Sequence, residues 1–263
     1  MFRHAGYLAG EMFSDTILPN LAASAEGMTE NLHHMADLPA SRALPVLREY
    51  YNSLFVANGP QHWWPGRSPF EVIVGAILTQ NTAWTNVERA IANLRREKLL
   101  TPRAIRHVPV GRLARLIRSS GYFRQKAKKL KAFVAFLDKE YAGSLSKMFR
   151  APTTTLREQL LGVHGIGPET ADSILLYAGK HPVFVVDAYT RRILERHGLV
   201  ALKSSYKDLR QLFERSLPKD AVLYNEFHAL IVRTGKDFCR TGTPRCAECP
   251  LKAFLPESGA LVA

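Results

Sequence analysis

The sequence predicts an all-α fold, and three observations lead to this prediction. From Pro45 to about Arg233, apolar residues recur at helical rather than alternating spacing. Residues typical of helix starts precede many of these segments. Sustained strand-like alternation is missing, apart from the short run 183–186. With 263 residues, of which 46% are hydrophobic, the chain can bury a large core as one large domain or two smaller ones.

The N-terminal part of the chain divides into a leader and a first helix. Residues 1–41 show no sustained periodicity, which predicts a weakly ordered leader or an over-long translation start. Met28 and Met35 are the alternative starts within it. The apolar residues between 46 and 55 follow helical spacing and predict the first helix.

The next helix starts are indicated by capping residues. Ser68 is predicted to cap a helix with Pro69 in its first turn, and Thr101 to precede a short basic helix. Two pairs have capping-box spacing, in which a hydroxyl and a carboxylate each satisfy an amide at the helix start. These pairs are Thr85 with Glu88 and Thr155 with Glu158.

A lysine-rich amphipathic helix is predicted at 126–141, after a helix that ends at Gly121. Lys126, Lys128 and Lys129 lie opposite its apolar positions. Such a face contacts phosphate in a nucleic-acid-binding protein, although a lysine-rich face is also commonly just solvated.

The charge of the chain favours a polyanionic partner. Lys and Arg exceed Asp and Glu by 36 to 23, which gives a formal charge of +13 and a pI near 9.9. No apolar run reaches the ~18–20 residues of a membrane-spanning helix, and no signal peptide is recognisable. Three cysteines between 239 and 249 are not a secreted disulfide framework. We therefore expect a cytoplasmic protein, associated with the nucleoid if bacterial.

The most informative segment is 160–171, Leu-Leu-Gly-Val-His-Gly-Ile-Gly-Pro-Glu-Thr-Ala. A helix ends before Val163, Gly165 and Gly167 allow a tight turn, and a new helix begins at Pro168. Amides of glycines that lack a Cβ can approach a phosphate oxygen closely. The pattern predicts a helix-hairpin-helix that binds the DNA backbone, and the alternative is a turn whose glycines only terminate helices.

This hairpin, followed by Val-Phe-Val-Val-Asp-Ala-Tyr-Thr-Arg-Arg at 183–192, resembles the endonuclease III (helix-hairpin-helix-GPD) superfamily of DNA base-excision glycosylases. The resemblance extends from about Pro45 to Leu255. It implies that Asp187 is the catalytic carboxylate in a cleft between two helical lobes. Asp187 is also well placed to cap the helix that follows, and the two roles are compatible.

The resemblance also implies the domain organisation and the partner. A helical barrel at 67–186 holds the hairpin, and a discontinuous lobe, 42–66 plus 187–263, ends in a cysteine loop. The expected partner is damaged double-stranded DNA, with no membrane association and a monomeric protein.

The residue at the position of the family's nucleophile is different in this chain. In bifunctional members a lysine 18 residues before the aspartate forms a Schiff base and then cleaves the strand, and here that position is Glu169. A carboxylate cannot form an imine. The expected enzyme is therefore a monofunctional glycosylase that uses water and leaves an abasic site.

Aromatic residues indicate the damaged base. The segment Trp63-Trp64-Pro65 with Phe70 resembles the base pocket of the 3-methyladenine glycosylase branch, and Glu169 is predicted to line the same pocket. Aromatic faces favour a flipped, cationic alkylated purine. The alternative for the two tryptophans is core or interdomain packing. The adenine-excising branch is disfavoured, because Ala76 stands where its members carry a glutamate.

Further DNA contacts carry over by resemblance. Gln80 is at the position where the family has a polar residue that fills the space left in the duplex by the extruded base. Tyr122 is at the position of an apolar residue that inserts into the duplex, and Phe123 is the alternative for this role. Helix packing is the alternative for both. Val163, Gly165 and Gly167 of the hairpin and Lys126 complete the predicted interface.

The cysteine loop has one ligand fewer than the family's [4Fe-4S] loop. Cys239, Cys246 and Cys249 match the first three ligands, but the fourth position is Leu255, which cannot ligate iron. The expectation is no cofactor, with a cluster completed by another donor, or a zinc ion, as the alternative.

Other classes of function remain open. The same fold also suits a glycosylase for oxidised or mismatched pyrimidines with residual lyase activity, or a non-catalytic damage-binding protein. A third class, association with anionic polymers through bulk charge, predicts no preference for damaged duplex.

Overall fold

A computed structural model of the chain describes the backbone of residues 40–261 and the side chains of residues 45–261. The predicted leader, 1–41, and its candidate starts Met28 and Met35 lie outside this range, apart from the first two residues of helix α1.

The described chain is all-α, as predicted. Twelve α-helices follow one another, and no strand is formed between residues 40 and 261. A π-helical turn, Ile174–Ala178, continues α9. The α-helices are α1 Ala40–Asn58, α2 Pro69–Leu78, α3 Trp84–Arg96, α4 Pro102–His107, α5 Val110–Leu116, α6 Phe123–Tyr141, α7 Leu145–Met148, α8 Thr153–Leu161, α9 Pro168–Ser173, α10 Ala188–Arg196, α11 Tyr206–Ser216 and α12 Ala221–Asp237.

Two of the predicted helix starts are confirmed by side-chain caps. The Ser68 hydroxyl accepts a hydrogen bond from the Glu71 amide at 3.2 Å at the start of α2. The Thr101 hydroxyl accepts one from the Ala104 amide at 3.2 Å at the start of α4. In both helices a proline follows the cap, where its fixed φ suits the first turn.

The two predicted capping boxes are wrong. Helix α3 begins one residue before Thr85, after Ala83, and α8 begins two residues before Thr155, after Pro152. Neither start has a side-chain cap. Both threonines therefore lie inside the first turn, where their hydroxyls are not in the capping position.

The helices pack in two groups. Helices α2 to α9 contact one another, while α1 packs against α11 and α12, and α10 packs against α12. The π-helical turn contacts both α2 and α12, so it lies between the groups. This arrangement supports the division into a barrel, 67–186, and a second lobe, 42–66 plus 187–263, which we retain as a proposal.

The connection between the two groups is buried. Val183, Phe184, Val185 and Val186 are each at most 3% exposed, although they form no strand. Their burial fixes the direction in which the chain leaves the first group and enters α10 at Asp187. No helix within the described range is long and apolar enough to cross a membrane.

Candidate active site

The predicted hairpin is formed by the end of α8 and the start of α9. Gly165 has a φ of +82°, a conformation that favours glycine, and its neighbour Ile166 donates a backbone hydrogen bond to Val163 at 3.0 Å. Val163 itself is buried, at 7% exposure. A Cβ added to Gly167 would meet no atom within 4 Å. The loop backbone at Gly167 is therefore open to approach.

Gln80 joins this hairpin to the end of α2. Its amide nitrogen donates to the Gly165 carbonyl at 3.1 Å and to the Thr170 hydroxyl at 2.9 Å, and its oxygen accepts a hydrogen bond from Lys129. The Lys129 side chain also packs so closely on Gly165 that a Cβ there would collide with it. Gln80 is thus held within the protein, next to the hairpin on which the DNA contact is predicted.

Asp187 caps α10 and has a fixed orientation. Its Oδ1 accepts hydrogen bonds from the Thr190 amide at 2.8 Å and the Thr190 hydroxyl at 2.9 Å. Its side chain is 14% exposed. No lysine or arginine in the described part of the chain forms an ion pair with it. The second carboxylate oxygen, Oδ2, lies 3.7 Å from Nε2 of His228.

His228 is buried on α12 and connects to the first group of helices. Its Nδ1 lies 2.6 Å from the hydroxyl of Tyr177, in the π-helical turn. Burial raises the pKa of Tyr177 well above 10, and the carboxylates of Asp187 and Glu169 add to the rise. The tyrosine is therefore a neutral hydroxyl over the whole physiological range.

Glu169 lies close enough to Asp187 for the charges of the two carboxyl groups to interact. Desolvation raises the pKa of Glu169 to about 7, and the charge of Asp187 contributes to the rise. The Glu169 side chain is exposed to solvent. Both observations are compatible, because a carboxyl can touch water on one side while protein surrounds its other sides. Two carboxyl groups, with no lysine at position 169, therefore occupy the region of the predicted catalytic chemistry, while the ammonium of Lys236 lies 5.8 Å from the ring centroid of Trp63.

An aromatic cluster adjoins these carboxyl groups. Trp64 lies centrally, with its ring centroid 5.0 Å from Tyr177, 5.1 Å from Trp84 and 5.6 Å from Trp63. Trp64 packs on α2 at Gly75, where an added Cβ would lie 3.1 Å from the indole. The three tryptophans are partly buried. We call Trp63, Trp64, Trp84 and Tyr177 the aromatic cluster.

The other predicted pocket residues lie apart from this cluster or at the surface. Phe70 is 3% exposed and packs in the core beside Phe133 of α6, at a centroid distance of 6.5 Å. Phe70 is therefore a core residue that contacts α6, and its place in the base pocket stays a prediction. Pro65 is exposed next to the tryptophans.

The two DNA contacts predicted around α6 have opposite environments. Tyr122 is 68% exposed at the start of α6, with a φ of +43°. Lys126 is 2% exposed, and its ammonium donates to the carbonyls of Leu78 at 2.9 Å and Ser120 at 2.5 Å. Burial lowers the pKa of Lys126 to about 8. The prediction of a phosphate contact from Lys126 is wrong, since its charge satisfies the backbone at two helix ends.

The cysteine loop does not fit a [4Fe-4S] cluster. Cys239, Cys246 and Cys249 are free thiols that line one small pocket with Leu255, which offers no donor atom. Within residues 45–261, no group of three His, Cys, Asp or Glu side chains is arranged to hold a metal ion.

An arginine organises this loop instead. Arg196 of α10 is 8% exposed, and its guanidinium donates to the carbonyl of Arg240 at 2.6 Å. Longer contacts reach the Gly242 carbonyl at 3.3 Å and the Cys239 thiol at 3.4 Å. The loop is therefore tied to α10 by hydrogen bonds from a buried cation.

Sequence reasoning missed three residues of this site: Trp84, Tyr177 and His228. Trp84 begins α3 and resembles an ordinary amphipathic helix residue. Tyr177 and His228 are 51 positions apart and belong to apolar helical segments. No local pattern distinguishes them, although three tryptophans in 263 residues is a signal that would have drawn attention to Trp84.

The fold and this site together define a DNA-repair glycosylase. Residues 74–219 match the profile of the HhH-GPD superfamily of base excision DNA repair proteins. The chain belongs to this superfamily, and it is a DNA-binding glycosylase of base excision repair.

Curated relatives agree with this membership. A Methanocaldococcus jannaschii protein, provisionally named as a DNA repair glycosylase, is 46% identical over 80% of this chain and 95% of its own length. The endonuclease III of Thermotoga maritima is 31% identical over 70% of this chain and 81% of its own length.

Solved structures share the fold. The crystal structure of the H. pylori 3-methyladenine DNA glycosylase bound to 1,N6-ethenoadenine is similar with a TM-score of 0.63 and 30% identity. It matches 76% of this chain and 98% of its own. A non-covalent endonuclease III–DNA complex is similar with a TM-score of 0.70 and 25% identity, over 84% of this chain and 97% of its own.

Proposed function

We propose that this glycosylase is monofunctional: it hydrolyses the N-glycosidic bond with water at Asp187 and leaves an abasic site. The observation that carries the proposal is Glu169, which stands near Asp187 at the position of the lyase lysine. Without an amine at this position, no Schiff base can form there and strand cleavage by β-elimination has no covalent intermediate.

The chemistry requires a fixed negative charge beside the sugar. As the bond from C1′ to the base breaks, the base leaves with the bonding electrons and positive charge develops on the sugar. Asp187, oriented by its contacts with Thr190, stabilises that charge and accepts a proton from the attacking water, whose oxygen bonds to C1′. Glu169 adds negative potential when it is ionised.

We infer that the substrate is an alkylated purine in duplex DNA. The aromatic cluster and the two carboxyl groups favour a flipped base that is flat and cationic, since cation–π attraction is worth ~0.5–2 kcal/mol. Such a base is a good leaving group because it departs neutral. The name of the H. pylori relative, a 3-methyladenine glycosylase, supports the same class.

Two further inferences concern the assembly. The enzyme works without a metal or cluster, because the cysteine loop lacks a suitable donor set and is held by Arg196. It acts as a monomer, since a single chain contributes every group of the site described above.

The test is base release from a methylated duplex by the wild type and Asp187→Asn. Asparagine is also a good helix cap, so the variant keeps the α10 start. We expect wild-type products to become strand breaks only after alkali, and base release by the variant to fall about 100-fold or more. Duplex binding by the variant should stay within a few-fold of wild type.

Three outcomes would contradict the proposal. Strand breaks without alkali would indicate lyase activity. Full activity of the asparagine variant would remove Asp187 from the chemistry. Release of oxidised or mismatched pyrimidines, but not of methylated purines, would assign the alternative substrate class.

A further inference from the structure

His228 is a buried polar group whose outer nitrogen lacks a hydrogen bond. Its ring is 5% exposed, and Nε2 has no hydrogen-bond partner among the described residues. Buried polar nitrogens are normally paired, so an unpaired one requires an explanation. Here Nε2 faces Oδ2 of Asp187 at 3.7 Å, which is longer than a hydrogen bond but close enough to become one after a small shift.

The tautomer of His228 follows from its partners. Burial lowers the pKa of the ring, against the opposing charge of Asp187, so the imidazole is neutral and carries one N–H. The Tyr177 hydroxyl lies 2.6 Å from Nδ1. If Nδ1 held the proton, the bare Nε2 lone pair would face the Asp187 carboxylate in a buried site. The opposite arrangement, with tyrosine donating to Nδ1 and the proton on Nε2, directs an N–H at that carboxylate.

Asp187 then has a donor facing each oxygen. Thr190 fixes Oδ1 from the start of α10, while Oδ2 faces His228 of α12. A hydrogen bond at each oxygen would fix the plane of the carboxylate once the longer contact shortens. Catalytic hydrogen bonds are often long in the free enzyme and shorten in the substrate complex, and 3.7 Å is consistent with this behaviour.

We propose that His228 is a positioning residue that orients the catalytic Asp187 through Nε2–H, and that Tyr177 sets the tautomer required for this. The inference rests on the proposed function of Asp187. The contact crosses between the two groups of helices, because Tyr177 belongs to the π-helical turn and His228 to α12. It therefore links the chemistry at Asp187 to the relative placement of the two groups.

The base pocket is connected to the same chain of contacts. The indole N–H of Trp63 is buried without a normal hydrogen bond and lies beside the Tyr177 hydroxyl. This N–H lowers the pKa of Tyr177, against the larger effect of burial. A base that moves Trp63 thus acts on the group that fixes the tautomer of His228. The other ionisable groups near this chain of contacts are Glu169, which acts on Tyr177 through its charge, and Lys236, whose ammonium lies 5.8 Å from the ring centroid of Trp63.

The experiment measures single-turnover base release from methylated duplex by His228→Phe, His228→Gln and Tyr177→Phe. Phenylalanine keeps the ring among its aromatic neighbours but removes Nε2–H, and we expect release to slow by about 100-fold, with duplex affinity changed less than threefold. Glutamine can place an N–H near the same point and should restore the rate to within about tenfold of wild type. Tyr177→Phe should slow release by about tenfold, because His228 is free to take either tautomer.

A double variant separates positioning from a general structural role. In the Asp187→Asn background, His228→Phe should cause no further loss, because the group that it orients is already neutralised. An equal additional loss in that background would overturn the proposal. So would a His228→Phe rate within threefold of wild type.

A spectroscopic measurement is independent of activity and of the stability of the variants. Nitrogen NMR of wild-type protein with labelled histidine should find His228 with its proton on Nε2, and Tyr177→Phe should perturb that signal. A proton on Nδ1 in the wild type would contradict the inference. If Asp187→Asn retains activity, the proposed function fails; if it is inactive while His228→Phe is normal, only this inference fails.

Discussion

At the residue scale, the two carboxyl groups of the proposed site have different environments. Asp187 has one oxygen held by the amide and the hydroxyl of Thr190. Glu169 lacks such donors and has its pKa raised to about 7 by burial and by Asp187. The two carboxyl groups therefore differ. Hydrogen bonds fix the orientation of Asp187, whereas desolvation raises the pKa of Glu169.

Restoring the amine at position 169 should restore covalent chemistry. We predict that Glu169→Lys forms a borohydride-trapped complex with abasic DNA, because its amine would stand near the Asp187 carboxylate where bifunctional relatives carry theirs. Gel detection of the trapped complex is the measurement. Glu169→Gln, which has similar size and no nucleophile, is the matched control and should give no complex. A folded lysine variant that binds abasic DNA without trapping would show that position 169 does not face the sugar.

Glu169 should also make stability depend on pH. Its folded-state pKa of about 7 lies above its ordinary value of 4.5, so the folded protein binds more protons between these values and loses stability as pH rises through this range. Glu169→Gln removes the loss, and its Tm should exceed that of wild type by an amount that grows from pH 5 to pH 8. Solvent screening of this exposed side chain limits the size of the effect. A difference in Tm that is independent of pH would contradict the prediction.

At the scale of elements, the proposed functional features lie at helix ends. The hairpin between α8 and α9, the exposed Tyr122 at the start of α6 and the Asp187 cap of α10 are all helix termini. Lys126 supports two more helix ends, because its ammonium donates hydrogen bonds to the carbonyls of Leu78, at the end of α2, and of Ser120. A lysine predicted to bind DNA thus stabilises the scaffold on which the proposed DNA contacts lie.

The two hairpin glycines should respond differently to alanine. At Gly167, φ is −92° and a Cβ meets open space, so Gly167→Ala should leave Tm unchanged. Its methyl group would obstruct a phosphate, and affinity for undamaged duplex should fall about tenfold, the cost of one charge-assisted hydrogen bond. Fluorescence anisotropy measures this loss.

Gly165→Ala provides the comparison for that experiment. Its φ of +82° and the adjacent Lys129 side chain make a Cβ unfavourable, so this variant should lose about 1 kcal/mol or more of folding free energy. Wild-type affinity in Gly167→Ala would show that the hairpin backbone does not approach the DNA.

At the scale of the whole molecule, two groups of helices meet at the site. The π-helical turn, α10 and α12 bring Tyr177, Asp187 and His228 together from both groups. The formal charge of +13 attracts the polyanionic substrate without specifying a sequence. The proposed chemistry therefore depends on a few side chains, whereas the attraction for DNA belongs to the chain as a whole.

The electrostatic part of DNA binding should be visible in its salt dependence. We predict that the logarithm of affinity for undamaged duplex falls linearly with the logarithm of salt concentration, and that Lys128→Ala reduces the slope by about 0.9. Lys128 is exposed in a groove with Arg115 and Arg124 near the Tyr122 end of α6. Lys139, exposed near the other end of that helix, is the matched control, and Lys139→Ala should leave the slope unchanged. Equal slopes for wild type and Lys128→Ala would remove Lys128 from the phosphate-contacting surface.

The sequence by itself determined the helical class, the superfamily, the hairpin at Gly165 and Gly167, and the register between position 169 and Asp187. These features depend on local spacing, capping and turn chemistry, which a single segment carries. Only the tertiary structure decided the burial of Lys126 and Phe70, because helical periodicity does not tell which neighbours cover a given face. It also decided the assembly of Trp84, Tyr177 and His228. Their side chains meet across helices that are far apart in the chain, and such contacts are fixed by packing rather than by any local pattern.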